Sequence, residues 1–127
     1  MREPTYTPVR AEAASRVQKY YQLVDEGEIE ALVDLFAPDA VYKRPGYDPL
    51  VGRNALTRFY SETRVIREGS HVLDTVVAAS DQVAVHGTFR GTLNDGRRVE
   101  LRFADFFELD PSNRFTRRDT FFFAPLV

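Results

Sequence analysis

The sequence contains no cysteine and no tryptophan among its 127 residues. Without cysteine, the chain cannot form a disulfide framework, a thiolate metal site or a thiol nucleophile. It also lacks a surplus of positive charge, because 17 basic and 19 acidic residues give a formal net charge of −2. Since binding to phosphate backbones needs a basic surplus, this balance argues against nucleic acid as the main partner.

Long apolar runs are missing as well. No stretch approaches the roughly 20 apolar residues that span a bilayer, and the first thirty residues hold no apolar run typical of a signal peptide. We therefore expect no membrane contact and a cytoplasmic location. The length predicts a single domain over residues 1–127, in which residues 1–9 form a loose N-terminal segment.

Aromatic side chains are abundant, with ten Phe and six Tyr. Large aromatic residues fill a core or an interface, and they also line cavities for flat apolar ligands. Composition alone leaves both uses open.

The spacing of apolar residues predicts a first helix over residues 10–26. Its apolar stripe follows the i, i+3, i+4, i+7 pattern and comprises Val17, Tyr20, Tyr21 and Val24. Gly27 is placed as a C-cap glycine that ends this helix.

Two further helices are predicted, over residues 29–37 and 52–67. Pro38 is expected to stop the second helix, because proline disfavours helical geometry in the residue before it. Gly69 is expected to close the third helix. Between them, residues 40–43 form a short β-prone stretch.

The second half of the chain predicts four strands rich in Val, Thr and Phe, over residues 71–79, 82–93, 97–109 and 114–123. Turn-forming residues separate them, and Asp95-Gly96 is the signal of a two-residue hairpin loop. Helices followed by an antiparallel meander indicate an α+β fold.

Asp105 is the most informative residue of these strands. Alternation puts it on a face that is otherwise apolar and comprises Val99, Leu101, Phe103, Phe107 and Leu109. A carboxyl group buried there must be paired, hydrogen-bonded or protonated. A neutral buried acid could act in catalysis as a hydrogen-bond donor. The alternatives are a structural aspartate with satisfied bonds and a β-bulge near residue 104 that turns it outward.

Tyr20 and Tyr60 lie on the apolar stripes of the first and third helices. Each is either a core residue or a member of a hydrogen-bonded cluster with Asp105. The two histidines, His71 and His86, are isolated in the sequence. No second histidine or carboxylate lies at the spacing of a known metal motif, so we predict neither a metal site nor a cofactor.

The last strand alternates charge and aromatic rings. Arg117 and Asp119 share one face with Phe115, Phe121 and Phe123. The charged pair either faces a pocket or is a solvated cross-strand pair of little energetic value. The Phe run over residues 121–123 puts rings on both faces of the strand, which predicts a homodimer formed through the sheet.

Several segments together resemble a known family. They are Val17-Gln18-Lys19-Tyr20, Gly27-Glu28-Ile29-Glu30-Ala31-Leu32, Leu35-Phe36-Ala37-Pro38-Asp39-Ala40-Val41, Gly52-Arg53-Asn54-Ala55-Leu56 with Phe59-Tyr60, and Asp105-Phe106-Phe107. They resemble the nuclear transport factor 2-like (NTF2-like) superfamily, in its ketosteroid isomerase and SnoaL-like polyketide cyclase branch. The resemblance implies a cone-shaped, cystatin-like α+β fold, with three N-terminal helices packed on a curved antiparallel sheet around a hydrophobic pocket.

The resemblance also implies roles for three residues. Tyr20 falls where ketosteroid isomerases have their oxyanion-binding tyrosine. Asp105 falls where they have a protonated aspartic acid that donates the second hydrogen bond, and Tyr60 falls on a supporting tyrosine. Together they would form an oxyanion hole.

The chain departs from the family at the general base. Arg44-Pro45 stands where the isomerases have an aspartate before a proline, and arginine stays protonated, so the usual steroid isomerase route is not expected. Arg44 either binds an anionic group of the ligand or is a surface cation paired with Asp48 or Glu62. Further ligand-binding candidates are Tyr42, Phe59, His86 and Phe103.

The resemblance therefore predicts a cofactor-independent enzyme that acts by proton transfer on a cyclic, partly apolar carbonyl compound. Its ligand would be small and apolar or partly anionic. The alternative is a ligand-binding or dimeric interaction module without catalysis. A minor alternative is water activation at Asp119, because Arg118-Asp119 faintly resembles the last strand of epoxide-hydrolase-like relatives.

Overall fold

A computed structural model describes residues 11–123, and the predicted loose segment 1–9 lies outside the described residues. Two helices come first, α1 (Ala11–Glu26) and α2 (Ile29–Asp34), and the third helix, α3 (Gly52–Arg58), follows the first two strands. The strands are β1 (Phe36–Lys43), β2 (Leu50–Val51), β3 (Ile66–Ala79), β4 (Gln82–Leu93), β5 (Arg98–Leu109) and β6 (Phe115–Phe122). The predicted α+β class is confirmed.

Helix α1 buries the predicted stripe, since Val17, Tyr20, Tyr21 and Val24 are all buried. Gly27 ends it as expected, with φ of 74°. Its N–H donates to the Val24 carbonyl at 3.1 Å, and the Glu28 N–H donates to the Leu23 carbonyl at 2.9 Å. This pair of bonds is the Schellman motif, which favours glycine in the left-handed region.

The second helix is shorter than predicted. Helix α2 ends at Asp34, and Phe36 begins β1 instead of continuing the helix. The Phe115 N–H donates to the Leu35 carbonyl at 2.8 Å, so pairing with β6 takes over from the helix. Pro38 therefore lies inside β1, where the register with β6 shifts and a missing N–H is tolerated.

The third helix also stops early. After Arg58 the chain forms one π-helical turn (Phe59–Thr63), closed by a bond of 2.8 Å from the Arg64 N–H to the Phe59 carbonyl. Strand β3 then begins at Ile66, which pairs with Leu93 of β4. Gly69 lies within β3 and does not end a helix, because strand pairing overrides local helix propensity here.

The six strands form one curved sheet in the order β2-β1-β6-β5-β4-β3. The meander β3-β4-β5-β6 is antiparallel, as predicted. Strand β1 runs parallel to β6, however, so the sheet is mixed and not wholly antiparallel. Register shifts in β1, β3 and β6 mark bulges, which bend the sheet around the helices.

The predicted faces of β5 are confirmed. Its register with β4 is unbroken from Arg98 to Glu108, so no bulge turns Asp105 outward. The β4–β5 loop differs by one residue from the expected two-residue turn. The Leu93 N–H donates to the Arg97 carbonyl at 2.8 Å and encloses three residues, with Gly96 at φ of 89°.

The core lies between α1 and the concave face of the sheet. Rings from the helix and from three strands meet there edge to face, with Tyr20 5.7 Å from Phe36, 5.8 Å from Phe107 and 5.9 Å from Phe115. Within residues 11–123 no helix has the length and apolar character needed to cross a bilayer.

Candidate active site

A buried ion pair lies at the centre of the molecule. Arg118 Nη2 on β6 is 2.8 Å from Asp105 Oδ2 on β5, and the exposed fraction is 6% for the Arg118 side chain and 0% for that of Asp105. Burial lowers the pKa of Arg118, but Asp105 and the surrounding tyrosines raise it further, so the net shift is upward. The guanidinium therefore stays charged and compensates the carboxylate.

Asp105 accepts hydrogen bonds on both oxygens. Tyr21 and Arg118 donate to Oδ2, and Thr120 donates to Oδ1. These contacts, with Arg118 as the ion-pair partner, are those of an acceptor, whereas the expected role requires Asp105 to donate a hydrogen bond to a ligand. That role stays a prediction.

Arg118 faces inward because of a bulge. Phe115 pairs with Leu109, whereas Arg117 pairs with Glu108, so one extra residue, Thr116, sits in β6. After this bulge Arg118 and Thr120 are buried, while Arg117 is exposed. Simple alternation from the buried Phe115 would have turned Arg117 inward.

Tyr20 and Tyr60 contact each other, but neither bonds Asp105 directly as the predicted cluster requires, and Arg118 links them to it. Their hydroxyl groups contact each other, and Arg118 Nη1 donates to Tyr20 and also to Tyr60, the latter at 3.2 Å. Burial raises the pKa of both phenols, although the Arg118 cation lowers it in each case. Both therefore remain protonated near neutral pH and available as donors.

A second chain of hydrogen bonds reaches Asp105 from the solvent side. Arg44 Nη1 donates to the Tyr42 hydroxyl at 3.2 Å, and that hydroxyl lies 3.1 Å from Thr120 Oγ1. Since Tyr42 accepts from Arg44, its own proton is directed to Thr120, which donates to Asp105. Phe59 packs edge to face against Tyr42, with the two ring centroids 6.2 Å apart.

Arg44 has no carboxylate partner among residues 11–123, so the expected surface pair with Asp48 or Glu62 is absent there. Its guanidinium lies instead over aromatic rings, 5.0 Å from Phe59 and 5.6 Å from Phe122. The Nε atom of Arg44 is buried without a hydrogen-bond partner, and so is that of Arg64. The Nε atom of Arg118 also lacks a partner, so three guanidinium groups among the described residues keep an unused donor.

The two arginines and the ion pair line one cavity. Its polar wall comprises Tyr20, Tyr42, Arg44, Tyr60, Arg64, His71, Asp105, Arg118 and Thr120. Its apolar wall comprises Val24, Ile66, Phe89, Leu101, Phe103 and Phe122. The space left among these side chains is about 30 Å³, which is about the share of one water molecule.

Three predicted site residues do not line the cavity. Phe59 is buried in the core, and the other two lie on the opposite face of the sheet. Asp119 is on the convex face of the sheet, where Arg117 Nε is 3.1 Å from its Oδ2, so it does not activate water in this cavity. His86 is also exposed on that face, with Nε2 2.7 Å from Arg102 Nη2. Alternation along β4 already placed His86 opposite the apolar residues, and the structure follows that pattern.

The sequence predictions assign no role to several residues that line the cavity or bond its lining residues. Tyr21 was visible on the α1 stripe but is chemically informative only through its bond to Asp105. Alternation along β6 does not predict an inward Arg118, because the bulge at Thr116 shifts the pattern. His71 lies 46 positions from Asp25, which it contacts, and no local pattern signals such a pair. In the described part of the chain, no group of three or more His, Asp and Glu side chains is placed to hold a metal ion.

Helices on a curved six-stranded sheet, with a polar cluster on its concave face, define an NTF2-like α+β protein. The family model of the SnoaL-like domain matches residues 17–118, and the chain belongs to this family.

Two solved structures are similar. One is SalBIII, described as an epoxide hydrolase/cyclase-like enzyme with a role in pyran ring formation in the polyether salinomycin. It is 24% identical, with a TM-score of 0.77 over 88% of this chain and 91% of that one. The other is an NTF2-like protein of unknown function from Burkholderia pseudomallei K96243. It is 19% identical, with a TM-score of 0.80 over 90% and 92% of the two chains. At these identities the similarity shows the shared fold.

Proposed function

We propose that the protein is a cofactor-independent enzyme that moves a proton on a cyclic, partly apolar carbonyl compound and stabilises the resulting enolate. The main support for this proposal is the hydrogen-bonded series Arg118–Tyr20–Tyr60. It joins a buried cation to two neutral phenols, and all three side chains line one cavity. Preorganised donors of this kind stabilise charge that develops on a substrate oxygen.

The order of the protons favours Tyr60 as the last donor. Tyr20 accepts from Arg118, so its own proton is free to go to Tyr60. The Tyr60 proton is then left for an oxygen atom in the cavity. Because hydrogen bonds in a chain polarise one another, the Arg118 charge strengthens that donor. Tyr20 thus acts through Tyr60, and Asp105 acts by holding Arg118.

The charges of the cavity suit an anion. Arg44, Arg64 and Arg118 line it against a single carboxylate, that of Asp105. Since Asp105 compensates Arg118, the two outer arginines remain to attract an enolate or an anionic group of the ligand. This supports a ligand that is partly apolar and partly anionic, with rings against Phe103 and the other apolar lining residues.

The ligand has to displace side chains on entry. The enclosed space of about 30 Å³ is far smaller than the roughly 300–1,000 Å³ of ordinary ligand pockets. Arg44 and Arg64 are the long, partly exposed side chains of the lining. A change of rotamer at these two residues would open the cavity without breaking the buried pair.

The similarity to SalBIII supports small-molecule chemistry on a cyclic product, since that enzyme is described as acting in pyran ring formation. Water activation by Asp119 is not part of the proposal, because that residue lies on the convex face of the sheet.

We also propose that the protein pairs as a homodimer through the convex face of the sheet. Phe106 and Phe121 are 52% and 56% exposed there, and their ring centroids lie 5.8 Å apart. Phe123 is 79% exposed. A contiguous aromatic patch of this kind is unfavourable in water and favours a partner surface.

The test uses 2-tetralone, a bicyclic ketone with acidic α-protons, in deuterated buffer. Loss of the α-proton signals in NMR spectra reports enolisation directly. We expect the wild type to accelerate exchange, and Tyr60→Phe to slow it by about 10²–10³-fold, the usual effect of losing one oxyanion donor. Tyr47→Phe is the matched control, because that ring packs on Phe59 outside the donor chain.

A wild-type protein that binds 2-tetralone without accelerating exchange would contradict enzymatic enolisation. That outcome would favour the second candidate, a ligand-binding module without catalysis. Equal slowing by Tyr60→Phe and Tyr47→Phe would contradict the role of Tyr60 as a donor but would leave enolisation by the protein unchallenged.

A further inference from the structure

A second pair of titratable groups adjoins the same cavity. His71 Nδ1 on β3 is 2.6 Å from Asp25 Oδ1 on α1, and the His71 backbone N–H donates to Asp25 Oδ2 at 2.9 Å. The exposed fractions of the two side chains are 11% for His71 and 24% for Asp25. One carboxylate thus holds both the backbone and the ring of the histidine.

Aromatic packing fixes the plane of the His71 imidazole. Its ring centroid is 5.1 Å from that of Tyr21, 4.8 Å from that of Phe89 and 5.5 Å from that of Phe103. Glycines make room for two of these rings. A Cβ atom at Gly69 or Gly91 would lie 2.3 or 2.4 Å from the Phe89 ring, and one at Gly87 would lie 3.0 Å from the Phe103 ring.

The contact with Asp25 determines the tautomer. A carboxylate accepts, so in the neutral imidazole the ring proton is on Nδ1 and Nε2 carries the lone pair. Within residues 11–123, no hydrogen bond involves the Nε2 atom of His71. The His71 side chain lines the cavity that also holds Tyr60 and Arg118.

No other group of the cavity is suited to accept a proton near neutral pH. The arginines are permanently protonated, and burial raises the pKa of Tyr20 and Tyr60. The Asp105 carboxylate is ion-paired with Arg118 and accepts from Tyr21, Arg118 and Thr120, which occupy three of its roughly four acceptor positions. Among the lining residues, His71 offers an imidazole whose Nε2 makes no hydrogen bond within residues 11–123.

We propose that His71 is the general base of this site and that Asp25 is its positioning residue. The inference rests on the proposed function. His71 Nε2 takes a proton from the carbon next to the carbonyl group, and the electron pair of the broken C–H bond forms the enolate. The negative charge on the oxygen is met by the Tyr60 hydroxyl and Arg118, while the imidazolium is paired with Asp25. Return of the proton to carbon restores the base.

The tautomer is tested first, without any ligand. The chain contains two histidines, so His86→Gln leaves His71 as the one imidazole in the spectrum. At neutral pH, ¹⁵N NMR of this variant is expected to show a protonated Nδ1 and an unprotonated Nε2. Asp25→Asn is expected to mix the two tautomers. A ring protonated on Nε2 in the presence of Asp25 would overturn the proposal.

The base role is tested with 2-tetralone exchange. His71→Asn keeps an amide near the position of Nδ1, and thus the contact with Asp25, but removes Nε2. We expect it to slow exchange by about 10²–10⁴-fold, the usual contribution of a general base, while His86→Gln leaves the rate unchanged. Urea unfolding of both variants verifies that they are folded.

The outcomes separate the two proposals. If the wild type accelerates exchange and His71→Asn retains that rate, the base assignment is overturned and the proposed function stands. If the wild type does not accelerate exchange, the proposed function is overturned, and the base assignment with it.

Discussion

Arg118 and Asp105 face each other across strands β6 and β5 at 2.8 Å, and both side chains are withdrawn from solvent. Each charge is stable in the interior because the other is present. The pair organises the donors around it, since Arg118 also donates to Tyr20 and Tyr60. Stability and the candidate chemistry therefore depend on the same contact.

Removing one partner of this pair should be strongly destabilising. We expect Asp105→Asn to lower the free energy of unfolding in urea by about 3–5 kcal/mol, because it leaves a buried cation uncompensated. Glu100→Gln is the matched control, since it breaks the exposed pair with Arg90 and should cost under about 1 kcal/mol. The double variant Asp105→Leu/Arg118→Met should recover much of the loss. Equal effects of Asp105→Asn and Glu100→Gln would contradict a dominant role for the buried pair.

Stability should fall at alkaline pH. Burial raises the pKa of Tyr20, Tyr21 and Tyr60 above the ordinary 10.0. Above pH 10 the unfolded chain therefore binds fewer protons than the folded one, so the stabilisation present below that pH is lost as the pH rises. Each tyrosine contributes about 1.4 kcal/mol per pH unit in that range. Urea unfolding between pH 8 and 11 measures the slope.

Tyr60→Phe serves as the control for this pH dependence, because it removes one of the three titrating groups. Its slope should be shallower than that of the wild type. Absorbance of tyrosinate near 295 nm should show the three residues ionising only with unfolding. Ionisation of every tyrosine near pH 10 in the folded protein would contradict the assignment.

Arg44 should give the cavity a preference for anions. We expect 2-naphthoate to bind more tightly than its neutral methyl ester, because Arg44 lacks a carboxylate partner within the described residues and keeps a free donor. Arg44→Met should weaken 2-naphthoate binding about tenfold, or ~1.4 kcal/mol, and leave the ester unaffected. Isothermal titration calorimetry measures both. Arg98→Met, at an exposed position of β5, is the control, and a loss of equal size there would point to general charge attraction.

The convex face of the sheet should mediate self-association. In sedimentation experiments at high micromolar concentration we expect a dimer, and we expect Phe121→Lys to produce a monomer by placing a charge in the aromatic patch. Val51→Lys is the matched control, since Val51 is 62% exposed on β2. A monomeric wild type would contradict self-association. A dimer that persists in Phe121→Lys would show that the interface lies on another surface.

Local patterns predicted most of the elements. Alternation identified the buried face of β5, including Asp105, because successive side chains of a strand point to opposite sides. The predictions failed where strand pairing competes with local preference. Phe36 and Ile66 fall within predicted helices, yet both begin strands, since β1 pairs with β6 and β3 pairs with β4.

The candidate site was predictable only in part. Tyr20 and Tyr60 were expected to cluster, and they contact each other. Arg118 was not expected in the interior, because the Thr116 bulge reverses the alternation of β6 and its position depends on the partner strand. The same bulge separates Asp119 from the cavity.

The sequence by itself determined the α+β class, the faces of β4 and β5, and the placement of one acid among apolar residues, because these follow from local periodicity. Tertiary structure decided the chemistry of that acid. Whether a buried carboxyl group carries a proton depends on what lies within a few ångströms, and Arg118, Tyr21 and Thr120 reach Asp105 from distant positions in the chain. The contact between His71 and Asp25 likewise exists only because α1 packs against β3.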